Sequence, residues 1–133
     1  MKKFIKWLQE IGISDFNDVG GKNASLGEMY SNLTEEKIKI PNAFVLTAHS
    51  YNTFIKFNNL ENDIKLLLKS IDTSDLVNLR ENAALIREKI SNGNLPEELY
   101  NEIILNYSKL SKEYLEENVD VAVRSSSTAE DLP

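Results

Sequence analysis

The stretch Asp18-Val19-Gly20-Gly21-Lys22-Asn23-Ala24-Ser25-Leu26-Gly27-Glu28-Met29 decides how the rest of the sequence is interpreted. Two glycines and a lysine stand directly ahead of an amphipathic helical pattern. Glycine allows the main chain to approach a bound group closely, and the first N–H groups of a helix have no partner within the helix. Together with the positive charge of Lys22, these features are typical of a site for phosphate or another anion.

This glycine-lysine pattern differs from the two best-known nucleotide-binding motifs. A Walker A loop requires glycine where this chain has Phe16, and serine or threonine where it has Asn23. The Rossmann fingerprint is missing as well, since no Gly-x-Gly-x-x-Gly follows a predicted strand. Taken alone, the motif is equally compatible with a phosphate site and with a plain glycine turn.

The composition is that of an ordinary acidic globular chain. Its 133 residues are 41% hydrophobic and 27% charged, which suits one domain, or part of one, with a core of its own. A net charge of -6 argues against non-specific nucleic-acid binding, which depends on a basic surface. With no cysteine and one histidine, these residues contain no disulfide, no thiolate metal site and no histidine-rich metal site.

Targeting signals are not evident in the sequence. Lys6, Gln9 and Glu10 interrupt the start before it resembles a signal peptide, and no apolar run approaches the roughly 20 residues of a membrane span. We therefore expect a cytoplasmic protein without membrane contact.

The periodicity predicts an α+β lobe that is rich in helices and has a small sheet. Strands are expected at residues 4–8 and 38–46, best at Phe44–Leu46, and the alternating residues 119–124 also read as a strand. A polar turn from Gly12 to Asp18 precedes a helix from about Lys22 to Leu33.

Further helices are predicted in the second half of the chain. One begins after Thr47 as N-cap, another ends at Gly93, and a third opens at Pro96. Three apolar stripes are expected to face a core rather than a partner: Leu60, Ile64, Leu67 and Ile71; Leu76, Leu79, Ala83, Ile86 and Ile90; Leu99, Ile103, Tyr107, Leu110 and Tyr114.

A second polar motif, Arg124-Ser125-Ser126-Ser127-Thr128-Ala129-Glu130-Asp131-Leu132-Pro133, follows the last predicted strand. Arginine offers a bidentate fork for phosphate, and the hydroxyls are able to donate to phosphate oxygens. A capped loop in which Arg124 pairs with Glu130 or Asp131 explains the same residues equally well. A strand and a charged corner are a poor way to complete a domain, so we expect a fragment or the first lobe of a larger protein.

Both motifs match one family. Residues 19–29 and 121–133 resemble the amino-terminal ATP-binding domain of the phosphoenolpyruvate synthase family, which pyruvate phosphate dikinase and rifampicin phosphotransferase share. Residues 40–47 with Tyr51 look like the Pro-Pro-Gly-Phe strand and following helix of that family, and residues 7–11 fit its first strand. These landmarks lie in the right order and extend over nearly the whole chain.

The resemblance implies an ATP-grasp-like fold, in which the nucleotide lies between two α/β lobes. Residues 1–133 would be the first lobe, without the second lobe, the phosphohistidine domain and the acceptor barrel. The catalytic residues that the resemblance implies are Lys22 and Arg124, whose positive charges would hold the ATP phosphates. The cofactor-binding residues that the resemblance implies are Gly20, Gly21, Lys22, Arg124, Ser125, Ser126 and Thr128.

The family moves a phosphoryl group from ATP to a histidine on a swivelling domain and then to pyruvate or another acceptor. It uses magnesium, whose ligands we expect in the missing lobe and not in this chain. We expect the chain alone to be inactive, to bind ATP weakly, and to self-associate through the face left exposed. The alternatives are a non-catalytic helical interaction module that keeps the fold, and the ATP lobe of a dikinase or antibiotic phosphotransferase with another acceptor.

The sequence departs from the family pattern at a few places. Asn42-Ala43 replaces the usual Pro-Gly, which predicts an altered turn into the second strand, and Ser127 stands where alanine is common. His49 lacks the flanking residues of the phosphorylated histidine and is expected to be a surface histidine.

Overall fold

A computed structural model describes residues 1–129, which fall into two compact units. The first unit contains Met1–Tyr51 and the chain from Glu97 on, and the second contains Asn52–Pro96. Glu130 and Asp131, the acids considered as partners of Arg124, lie outside the described residues. The described chain is rich in helices and has a two-stranded sheet, which confirms the expected α+β class.

The sheet of the first unit is a short antiparallel pair. Strand β1 (Ile5–Trp7) pairs with β2 (Phe44–Leu46), and the register sets Lys6 opposite Val45. The first two predicted strands are confirmed, although each is shorter than its apolar run. Pro41 precedes β2, as expected of a residue that has no N–H to give to the ladder.

The helices follow the predicted order with adjusted bounds. The prediction of a polar turn at residues 12–18 is wrong, because these residues form a 3₁₀ helix and most of a short α-helix. Another 3₁₀ helix directly follows β1. The helical elements of the described chain are the 3₁₀ helices Leu8–Glu10 and Ile13–Asp15, then α1 (Phe16–Val19), α2 (Gly21–Glu35), α3 (Ala48–Phe57), α4 (Glu61–Lys69), α5 (Leu76–Ser91) and α6 (Glu97–Glu113). Among these helices none is long and apolar enough to span a bilayer.

A compact core in the first unit packs α1, α2 and β2 against the chain that follows β1. Small residues on one face of α2 let it approach the chain after β1 closely: a Cβ added to Gly27 would lie 2.5 Å from the Ile11 carbonyl oxygen. The buried members of this core are Leu8, Ile11, Val19, Ala24 and Val45. Burial of such side chains is the main source of stability for the corner described below.

Helix α6 contributes a buried polar contact that the stripe pattern did not predict. Leu99 and Leu110 are buried as expected, and Asn106 is buried beside them. The Trp7 indole N–H donates to Asn106 Oδ1 at 2.8 Å, and Asn106 Nδ2 donates to the Glu102 carbonyl at 2.7 Å. A buried amide with both ends satisfied fixes the position of the tryptophan.

The two departures near β2 have structural explanations. The Asn42 N–H donates to Tyr114 Oη at 2.7 Å, and its Nδ2 lies 2.9 Å from Glu113 Oε2, so the entry to β2 is tied to the end of α6. His49 stacks on Phe4 with ring centroids 5.1 Å apart and is half-buried, which makes it less exposed than a plain surface histidine.

The second unit contains α4 and α5, whose helical stripes are only half-buried. Asp75 caps α5 by accepting the main-chain N–H of Val77 at 3.0 Å. Leu76 is 66% exposed, so its prediction as a core residue is wrong: it is the first residue of α5 and has no preceding turn to cover it. Gly93 follows the end of α5 as predicted, and a Cβ there would lie 2.5 Å from the Phe54 ring.

The predicted third strand is also wrong. Residues 119–127 have no regular secondary structure, and Val121 and Val123 are 50% and 93% exposed. Alternation favours a strand only where a neighbouring strand offers a ladder. In the described chain β1 and β2 pair only with each other, and the segment is held by other contacts.

Candidate functional site

Gly20 forms a corner between two helices. Its N–H donates to the Phe16 carbonyl at 2.9 Å and closes α1, while its own carbonyl accepts the Ala24 N–H at 3.0 Å and opens α2. The dihedral angles of Gly20, φ 81° and ψ 163°, fall in a region that is essentially restricted to glycine. The first glycine of the motif is therefore required by the main-chain conformation.

The two polar motifs meet at this corner, although their residues are up to 107 positions apart. Ser126 Oγ donates to the Val19 carbonyl at 3.0 Å, and the Gly21 N–H donates to the Ser127 carbonyl at 3.4 Å. A Cβ on Gly20 would collide with Ser126 Oγ and would lie 2.8 Å from the Ser127 carbonyl oxygen. The absence of a side chain at Gly20 thus makes room for the second motif.

The second motif is also anchored upstream, on α6. Tyr107 Oη donates to the Val119 carbonyl at 2.8 Å, and the Val119 N–H donates to Ser111 Oγ at 3.2 Å. Residues 119–127 are consequently fixed at both ends, by α6 and by the Gly20 corner. These contacts hold the segment in place without a sheet ladder.

Both basic residues are attached to the corner and are exposed. Lys22 is the second residue of α2 and follows Gly21 directly. Arg124 precedes Ser126 by two positions, so their Cα atoms are at most about 7 Å apart. Chain connectivity therefore keeps the start of both basic side chains close to the point where the motifs meet.

The hydroxyl groups of the second motif have different surroundings. Ser125 and Thr128 are exposed, whereas Ser126 is half-buried and donates its hydroxyl proton to the Val19 carbonyl. Ser127 Oγ accepts the Ala129 N–H at 3.1 Å. With the chain arranged in this way, Ser126 secures the segment, and Ser125 and Thr128 face solvent.

A charged cluster that includes Asp18, two residues before Gly20, was missed by the sequence reasoning. Lys6 Nζ, on β1, lies 2.9 Å from Asp15 Oδ1 and 3.0 Å from Asp18 Oδ2. The hydrogen bond to Asp15 raises the pKa of Lys6 above its ordinary value. The pKa of Asp15 is lowered, chiefly by the hydrogen bond from the Gly12 main-chain N–H and secondly by the one from Lys6. The signal available in the sequence was one lysine among the bulky residues of a strand.

Asn23 was also missed as a structural residue of the site. Its Nδ2 donates to the Val19 carbonyl at 2.9 Å, the same oxygen that accepts from Ser126. Its signal was its position, because it stands where a Walker A loop carries serine or threonine. In this chain the residue after the lysine secures the end of α1.

A group of side chains that could bind a metal ion would be a further feature of such a site. Within residues 1–129 no group of three or more His, Cys, Asp or Glu side chains could hold a metal ion. The described residues therefore offer no ligand cluster for magnesium.

The corner and its two motifs belong to a class of nucleotide-binding domain. Residues 16–133 match the family described as pyruvate phosphate dikinase, AMP/ATP-binding domain, and the chain belongs to that family.

The curated relatives are considerably longer proteins. The chain is similar to phosphoenolpyruvate synthase of Aquifex aeolicus, at 46% identity over 132 residues that make up 99% of this chain and 15% of that protein. It is 40% identical over 129 residues to phosphoenolpyruvate synthase of Escherichia coli, covering 97% of this chain and 16% of that protein. A probable phosphoenolpyruvate synthase of Methanocaldococcus jannaschii is 44% identical over 131 residues, which are 98% of this chain and 11% of that protein. This chain thus spans about a sixth or less of their length.

Proposed function

We propose that this chain supplies one half of the ATP site of a phosphoenolpyruvate synthase-like phosphotransferase. Lys22 and Arg124 hold the ATP phosphates beside the Gly20 corner. The observation that carries the proposal is the contact of Gly20 and Gly21 with Ser126 and Ser127, which joins the two motifs at one place. Family membership supports a nucleotide as the ligand.

The corner suits the demands of phosphoryl transfer, which asks a protein mainly for positioning and for positive charge around the phosphates. Lys22 lies in the first turn of α2, a helix of 15 residues whose N-terminus favours an anion. Arg124 adds a planar fork that matches two phosphate oxygens. The Gly21 N–H bond to the Ser127 carbonyl is long, at 3.4 Å.

The remaining polar residues take separate roles in this proposal. Ser125 and Thr128 are exposed and donate their hydroxyl protons to phosphate oxygens. Ser126 keeps its bond to Val19 and positions the segment. Gly20 provides the close approach of the two motifs, and Gly21 provides a main-chain N–H.

The complete reaction requires parts that these residues do not include. In the proposed parent enzyme an ATP-grasp-like second lobe covers the nucleotide, a histidine on another domain receives the phosphoryl group, and pyruvate is the acceptor. The names of the relatives support pyruvate over other acceptors. Magnesium, held outside residues 1–129, would neutralise part of the phosphate charge. The chain alone is expected to bind ATP without turnover.

The test is a titration of the chain with magnesium-ATP, followed by calorimetry or by shifts of the amide resonances of the corner. Hydrogen bonds to charged groups contribute about 1.5–3 kcal/mol each, so Lys22→Ala and Arg124→Ala should each weaken binding by about ten-fold or more. Lys109→Ala and Arg87→Ala are matched controls, because both residues are exposed and lie outside the two motifs. Equal affinity in the wild type, Lys22→Ala and Arg124→Ala would refute the proposal and leave the non-catalytic module as the better description.

A further inference from the structure

Lys6 is the only residue of β1 that carries a charge, and it is largely covered. Its side chain is 18% exposed, and its ammonium group lies between the carboxylates of Asp15 and Asp18. A lysine held by two carboxylates restrains both of the segments it joins. Here it joins the sheet to the 3₁₀ helix and to α1.

One member of this cluster, Asp18, lies close along the chain to the Gly20 corner. Asp18 precedes Gly20 by two residues, so their Cα atoms are at most about 7 Å apart. Between them is Val19, whose carbonyl accepts the bond from Ser126. Asp18, with the Lys6 ammonium group 3.0 Å from its carboxylate, is therefore near the place where an anion would bind.

We propose that Lys6 is a positioning residue of the phosphate site, which fixes α1 and offsets one of the two negative charges of Asp15 and Asp18. The inference rests on the proposed function. Without Lys6, the cluster would carry two net negative charges instead of one, and its repulsion of the ATP phosphates would increase. The role differs from that of Lys22 and Arg124, because Lys6 contacts the carboxylates and not the nucleotide.

The electrostatic part of this role has a calculable size. As an assumed scale, we place the lysine charge about 10 Å from the phosphates of metal-free ATP, which carries about four negative charges. In water, loss of the Lys6 charge then weakens binding by about eight-fold at 0.01 M ionic strength. At 0.15 M the Debye length falls to about 8 Å, and the loss shrinks to about two-fold.

Four variants separate charge from structure. Lys6→Met removes the charge and keeps the apolar stem, and Lys6→Arg keeps the charge. The double variant with Lys6→Met and Asp18→Asn removes one carboxylate together with the lysine charge. Lys65→Met is the matched control: Lys65 pairs with Glu61 on α4 in the other unit, and its loss changes the net charge equally.

The experiment is a titration of the full chain with metal-free ATP at both ionic strengths, read from the amide resonances of the corner. We expect a salt-dependent loss in Lys6→Met, near-normal binding in Lys6→Arg, recovery in the double variant and no change in Lys65→Met. A purely structural role would give a loss that salt does not alter and that Asp18→Asn does not rescue. If Lys6→Met fails to fold, Asp18→Asn alone serves, and it should tighten binding by about eight-fold at low salt.

The outcomes also distinguish this inference from the proposed function. Binding that Lys22→Ala weakens and Lys6→Met leaves unchanged would overturn the role of Lys6 alone. ATP binding that is absent from the wild type, or unaffected by Lys22→Ala, would overturn the proposed function and the role of Lys6 with it.

Discussion

Replacing Gly20 by alanine tests whether the corner is built as described. The added Cβ would collide with Ser126 Oγ and would lie 2.8 Å from the Ser127 carbonyl oxygen. The residue would also have to keep φ at 81° and ψ at 163°, which alanine avoids. The substitution therefore strains α1, α2 and the second motif at their common point.

The expected cost follows from two separate contributions. Main-chain strain in this region costs about 1–3 kcal/mol. Displacement of the second motif loses the Ser126 bond to Val19, which contributes about 0.5–1.5 kcal/mol. Because residues 125–129 are mostly exposed and are able to move away, the steric clash adds little beyond that bond. We expect Gly20→Ala to lower the free energy of unfolding by about 2–4 kcal/mol.

Urea unfolding followed by tryptophan fluorescence measures this change. Trp7 is the chain's one tryptophan and is hydrogen-bonded to Asn106, so its emission reports on the first unit. Gly12→Ala is the matched control, since Gly12 has φ -128° and an added Cβ would lie an ordinary 3.4 Å from Glu28 Oε2. That variant should be neutral or stabilised by up to about 1 kcal/mol.

The result that refutes the reasoning is a Gly20→Ala chain whose stability lies within about 0.5 kcal/mol of the wild type, the usual range for a neutral surface substitution. A second check is the combination with Ser126→Gly, which removes the clashing hydroxyl. Because Gly20 and Ser126 are in contact, their effects should be non-additive by at least about 0.5 kcal/mol. Additive effects would mean that the two motifs do not meet.

Two further predictions concern the surroundings of the corner. Gly27→Ala should lower the free energy of unfolding by about 1–2 kcal/mol, because overpacking against Ile11 outweighs the gain of about 1 kcal/mol in helix propensity. The control is Ser31→Ala, on the exposed face of α2, which should raise the free energy of unfolding only slightly in the same urea assay. The pKa of Asp15 lies below its ordinary value of 3.8, chiefly because its carboxylate accepts the Gly12 N–H. The contribution of Asp15 to the stability of the fold is therefore complete above pH 3.8 and is lost as the pH falls through the lowered pKa. The difference in unfolding free energy between wild type and Asp15→Asn should be constant from about pH 5 to 7 and shrink below pH 3.8, and a difference that grows on acidification would contradict this.

Periodicity predicted those elements whose apolar residues face a neighbour in the same unit. The strand at Phe44–Leu46 and the helix at Gly21–Glu35 were predicted from the spacing of their large apolar residues. The residues that α2 buries are small ones that this spacing did not indicate, Gly21, Ala24 and Gly27. Residues 119–124 have the same alternation but no strand beside them in the described chain. A sequence pattern records which side chains are apolar, and the fold decides whether a partner strand is present.

The candidate site was predictable as a pair of motifs and not as an arrangement. Glycine and lysine before a helix indicated an anion site, and the arginine-serine run indicated another, but neither pattern states that the two meet. The contact of Ser126 with Val19 depends on α6, which holds Val119 through Tyr107 and Ser111. Long-range contacts of this kind are set by packing and leave no local signal.

The Val19 carbonyl oxygen connects these observations. A carbonyl oxygen has two lone pairs, and here one donor is Asn23 Nδ2 from the first motif and the other is Ser126 Oγ from the second. Both donors form hydrogen bonds to the Val19 carbonyl oxygen, which takes no part in the proposed chemistry. The relative placement of Lys22 and Arg124 therefore depends on the end of α1, and α1 depends in turn on Lys6 through its bond to Asp18. The groups proposed to touch ATP are thus positioned by a chain of contacts that begins in the sheet.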